Sequence, residues 1–185
     1  MPFMRGDSEA LEEVLSEVNP ADLPPGFDAQ NVSEDFVYEA AETKFTPAKL
    51  AEPDRIVLDA LRAMGATQFR VRYDGGDDEG FAHPEYLAFG ANQRPAEDVA
   101  AELAKSPMVE RVRKAAGQQR YNPYEETSDD LVARYALDSL AHKLASKLLG
   151  DSYGTGEYQL YGAFTADLVS GEIVDDPTAP QPEGM

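Results

Sequence analysis

The chain has 185 residues, a formal net charge of −19 at pH 7, and no cysteine or tryptophan. That charge, with a pI near 4.3, argues against general nucleic-acid binding and against docking on anionic membranes, because both need clustered Lys and Arg. The missing cysteines exclude disulfides, thiolate chemistry and cysteine-based zinc sites, and the length suffices for one domain with extensions.

Taken in order, a first helix is expected from Ser8 to Val18, with Leu11, Val14, Leu15 and Val18 as its apolar stripe. Asn19-Pro20 ends it, and Pro20 to Gly26 reads as a proline-stiffened linker. A short second helix is expected from Ser33 to about Thr43. Thr46-Pro47 is a cap with proline at the first helical position, and Pro53 divides a short turn from a helix over Asp54 to Met64. Gly65 is its natural stop.

The stretch Phe69 to Phe81 organises the rest. Phe69, Val71 and Tyr73 alternate with Arg70 and Arg72, the period of a half-buried strand. Asp74-Gly75-Gly76 is expected to make the tight reversal. A return strand runs from Gly80 to about Phe89, and Pro84 inside it implies an edge position or a bulge. Residues 90–126 read as a helical insert, with short helices over 95–105 and 107–116. Most of the basic residues lie from here onward.

Ser128 caps the longest expected helix, Asp129 to Leu149, whose core face is Leu137, Leu140, Ala141, Leu144 and Leu148. A second strand pair begins near Glu157 and alternates through Phe164 and Ala166 to a Ser170-Gly171 turn. It returns over Glu172 to Val174, ahead of a disordered, Pro-rich tail over 177–185. The fold class is α+β: an antiparallel sheet of two β-hairpins, helices packed on one face, and an N-terminal helical extension. Residues 1–50 form an acidic arm in this reading, and 51–176 the core domain.

Two motifs carry a resemblance. The turn Asp74-Gly75-Gly76-Asp77-Asp78-Glu79-Gly80 and the segment Tyr161-Gly162-Ala163-Phe164-Thr165-Ala166-Asp167 resemble those of a family of small bacterial proteins known only as a domain of unknown function. The turn departs from the family pattern at Asp77, where the family has Gly, and at Glu79, where it has Ser. The resemblance implies a fold in which the two hairpins pair, over roughly residues 54–175. It implies no activity.

Asp74, Asp77, Asp78 and Glu79 are the candidate metal ligands, since hard cations take oxygen donors. Their spacing does not match the EF-hand loop, and a solvated hairpin tip explains the same residues. His83 beside Glu85 offers a general base, although a strand-edge histidine is usually a surface residue. His142 is expected to be exposed. Gly150, Gly154 and Gly156 follow a helix, the wrong orientation for a phosphate site.

Tyr153, Tyr158 and Tyr161, with Asp167, are candidate interaction residues, because tyrosine offers apolar area with a polar tip. Leu11, Val14 and Leu15 on the first helix could dock on a partner groove. No cofactor is expected. The expected function is a non-enzymatic, acidic protein-interaction module of bacterial or phage cytoplasm, engaging a basic protein partner as inhibitor or adaptor. A metal-binding module or enzyme built on the acidic turn, and a structural subunit, are the alternatives.

Overall fold

The computed structural model describes residues 43–76, 79–117, 124, 127–151, 153–154 and 160–179. Contacts divide the chain into two units, 1–41 and 42–185, and every described residue belongs to the second. The first helix with Leu11, Val14 and Leu15, together with Asp77, Asp78 and Tyr158, lies outside the described residues.

Five strands form one antiparallel sheet: β1 (Gln68–Gly76), β2 (Glu79–Phe89), β3 (Asn92–Pro95), β4 (Leu160–Asp167) and β5 (Ile173–Asp176), in the order β3-β2-β1-β4-β5. The two expected hairpins meet through β1 and β4, with Val71 opposite Phe164 and Tyr73 opposite Gly162. Phe69, Val71, Tyr73, Leu87, Phe164 and Ile173 are buried in the core. On the opposite face, Arg70 reaches Asp176 at 2.6 Å and Arg72 reaches Glu85 at 3.2 Å. The one-residue alternation thus sorts apolar from charged side chains by face.

Among the described residues the α-helices are α1 (Glu52–Ala63), α2 (Ala96–Leu103), α3 (Met108–Ala116) and α4 (Asp129–Leu149); α2 and α4 pack on the sheet, and α1 and α3 pack on α4. Helix α1 opens with Glu52, Pro53 and Asp54, which suit a helix N-terminus through proline's fixed φ and the helix dipole. Helix α4 is the hub, packed against α1, α2, α3 and β2. Leu137, Leu140, Ala141, Leu144 and Leu148 are all buried as expected. The Ser128 hydroxyl accepts from Leu131 N, and Gly150, at φ 92°, closes the helix. Arg113 of α3 ties down the approach to α4 by donating to the carbonyls of Tyr124 and Thr127 and to Asp129.

Three local expectations are corrected. Asp74, Gly75 and Gly76 do not make the reversal; they stay in the ladder, with Gly75 opposite Gly80 and Gly76 opposite Glu79. Two facing glycines let the ribbon continue where another segment presses on it. The insert contains a strand, β3, as well as helices. Residues 177–179 are ordered: Ala179 is buried and its N–H donates to Asp176 O at 3.2 Å. Pro84 behaves as expected, with a register shift that sets Val71 against Pro84 and skips Glu85. Ahead of α1, Lys44 bridges Glu172 and Phe45 is buried in the core. No helix among the described residues is long and apolar enough to cross a membrane.

Candidate functional site: a groove between a free strand edge and helix α4

Strand β3 pairs, among the described residues, only with Tyr86–Phe89. Among the described residues, no strand pairs with 79–85 of β2 on the side away from β1. Beside this free edge lies an open cavity of about 670 Å³. Phe81, Ala82 and His83 line it. Successive side chains of a strand point to opposite faces, so three neighbours in a row mean that the edge of β2 borders the cavity.

The opposite wall is one stripe of α4. Asp138, His142 and Ser146 follow one another at four-residue spacing, with Ser139 and Lys143 alongside. Asp54, from the first turn of α1, and Asp151, just past α4, complete the lining. Both histidines of the chain are therefore in this groove.

The groove is short of positive charge. Asp54 is buried, accepts a hydrogen bond from the Ser139 hydroxyl at 2.8 Å, and has its carboxyl pushed up by burial, only partly offset by that bond and by Lys143. Burial also pushes up the Asp138 carboxyl, against the opposing pull of Arg134 and His83. Lys143 is the one Lys or Arg among the lining residues, and it approaches Asp151 only at 3.9 Å. The Asp54 and Asp138 carboxyls are thus partly stripped of water, and the charges of Lys143 and Arg134 offset that only in part.

Two imidazole pairs flank the cavity. His83 Nε2 lies 2.7 Å from Asp74 Oδ1, and the Phe81 ring stacks on His83 at 6.3 Å between centroids. His142 Nδ1 lies 2.8 Å from the Tyr153 hydroxyl. Burial, then the charge of Asp74, raises the Tyr153 phenol well above its ordinary range. Tyr153 is seated where a Cβ on Gly80 would fall 2.3 Å from its carbonyl oxygen, and a Cβ on Gly75 would fall 2.5 Å from Gly154 Cα. The glycines at the ribbon's end thus make room for the loop after α4.

Of the residues singled out from sequence, Asp74 and Tyr153 come together around this ribbon end. Asp74 is engaged with His83, and Glu79 is exposed. Among the described residues no group of three His, Asp or Glu side chains is arranged to hold a metal ion. Tyr161 is exposed on β4 opposite Asp74. Asp167 sits at the far end of that strand and shapes a turn: its Oδ1 accepts from Val169 N and Ser170 N, which holds its carboxyl below the usual range.

Asp54, Asp138, Ser139 and Lys143 escaped the sequence reading. The available signal was the polar stripe Asp138, Ser139, His142, Lys143, Ser146 beside the leucine face of the helix. The two segments that complete the groove, around Asp54 and His83, are too far away in sequence to be paired with it by pattern. Comparison with protein-family models, with curated proteins and with solved structures returns no match for this chain.

Proposed function

We propose that the chain is a non-enzymatic acidic module that engages a basic protein surface through the groove between the β2 edge and α4. The observation behind this reading is the pair of partly desolvated carboxyls Asp54 and Asp138, whose burial Lys143 and Arg134 offset only in part. A desolvated carboxylate that is only partly compensated is costly to keep, and a guanidinium or ammonium from a partner relieves that cost. The net charge of −19 adds long-range attraction toward any basic partner. A surface rich in Lys and Arg is also what nucleic-acid-binding proteins present, so occupation of it would make the chain an inhibitor or adaptor. The resemblance of the two motifs to those of small bacterial proteins is the ground for inferring a bacterial or phage source, and the absence of cysteine suits a reducing cytoplasm.

The test is capture from lysate of the source cells on the immobilised full chain, with a salt gradient for elution and mass spectrometry for identification. The retained proteins are expected to be basic and to elute at moderate salt, because exposed charge pairs are screened. Retention that ignores salt, or of acidic proteins only, refutes the reading. Exchange of Asp54, Asp138 and Asp151 for asparagine should reduce retention.

A second reading rests on the His83–Asp74 pair at 2.7 Å beside the cavity. A carboxylate that orients an imidazole makes a general base. Hydrolysis of simple aryl esters that disappears in His83→Ala would favour it, and equal rates in both proteins would remove it.

A further inference from the structure

We propose that the partner segment binds as an added β-strand along 79–83 of β2, with Lys or Arg side chains turned toward the groove carboxylates Asp54, Asp138 and Asp151. This inference rests on the binding reading above and specifies its geometry. A strand edge presents a row of backbone N–H and C=O groups, which an extended peptide can complete. On the side of β2 away from β1, β3 occupies only Tyr86–Phe89. Pro84 has no N–H, so it marks the end of the free template.

The dimensions agree. Glu79 to His83 of β2 spans roughly 13 Å at strand rise, and Asp138 to Ser146 spans about 12 Å at helical rise. Alternate side chains of an added strand recur about every 6.6 Å, and four-residue steps along α4 recur about every 6 Å. An added strand would therefore offer its alternate side chains to α4 almost in step with Asp138, His142 and Ser146. Asp54 and Asp151 supply the other two carboxylates of the lining.

Charge selects the occupant. The lining holds three carboxylates against one ammonium, with Asp74 close behind His83. A second copy of this chain would bring a further −19, which disfavours strand exchange between copies. A cationic extended segment of another protein satisfies both the backbone edge and the carboxylates.

The probe is a fluorescein-labelled peptide of about ten residues alternating Arg and Thr, titrated into the full chain at low salt and read by fluorescence anisotropy. A version N-methylated at alternate residues keeps every charge and loses the main-chain donors. The proposal expects the plain peptide to bind and both the N-methylated peptide and the D138N/D151N variant to bind about tenfold more weakly. Backbone amide shifts should concentrate at Phe81, Ala82 and His83. Equal binding of the two peptides, or shifts scattered away from β2, overturns strand addition while leaving the acidic-module reading in place. Failure of every basic peptide to bind at low salt removes both.

Discussion

Gly80→Ala puts the seating of the loop after α4 on trial. A methyl group there lies 2.3 Å from Tyr153 O and 2.7–2.8 Å from two carbons of its ring. One of these is a backbone atom, so the loop itself has to retreat. Overpacking of this kind costs about 1–3 kcal/mol. At about 2–4 °C of melting temperature per kcal/mol for a chain of this size, the expected fall is roughly 2–12 °C. Gly65→Ala is the control. Gly65 has φ +89° and nothing within 4 Å of an added Cβ, so its cost is left-handed backbone strain alone, about 1 kcal/mol. Thermal unfolding by circular dichroism gives the size of each effect, and NMR of the imidazole nitrogens gives its place. Gly80→Ala should perturb the His142 ring, which depends on the Tyr153 hydroxyl, and Gly65→Ala should not. Wild-type melting together with unchanged His142 signals in Gly80→Ala would show that Tyr153 does not rest on the ribbon.

Asp54→Asn tests the desolvated carboxylate. Burial lifts the Asp54 carboxyl in the folded chain, so as pH rises above about 4 the unfolded state releases its proton first and folded wild-type protein loses stability. Asparagine cannot ionise and still accepts from Ser139. Urea denaturation should therefore show the variant gaining on wild type between pH 4 and pH 7, and a pH-independent difference would contradict the argument. Leu140→Ala empties a fully buried position of α4 and should cost about 2–5 kcal/mol in urea denaturation; a loss below about 1 kcal/mol would mean that α4 is not the hub. Asp167→Ala removes the acceptor of two turn amides and should cost about 1–2 kcal/mol by the same measurement, most of it gone at low pH because the native carboxyl sits below its usual range.

The elements whose own residues carry a period were legible. The alternation around Phe69, Val71 and Tyr73 gave β1, the run through Phe164 and Ala166 gave β4, and the leucine stripe with Ser128 and Gly150 gave α4. Strand β3 was not legible. Asn92-Gln93-Arg94-Pro95 has no apolar alternation, and it is held by backbone pairing to β2. The hairpin reversal was misplaced because glycine tolerates a turn and also permits close approach, and only the packed loop at Gly154 tells which use applies. The groove was out of reach for a different reason. Asp54 and Ser139 are 85 residues apart in the chain, and neither departs from what an exposed helical residue looks like. Each histidine taken alone reads as surface, and their shared cavity exists only after β2 meets α4.

The neighbourhood of β1 and β4 has a consequence for how the chain is made. Arg70 and its partner Thr165 are 95 residues apart. At a ribosomal pace of about 5–20 residues per second, β1 waits roughly 5–20 s for the strand that completes its second side. Through that interval the nascent chain can zip β1 to β2 but leaves the centre of its sheet open. Closing a loop of that span costs chain entropy that the local β1–β2 pairing does not.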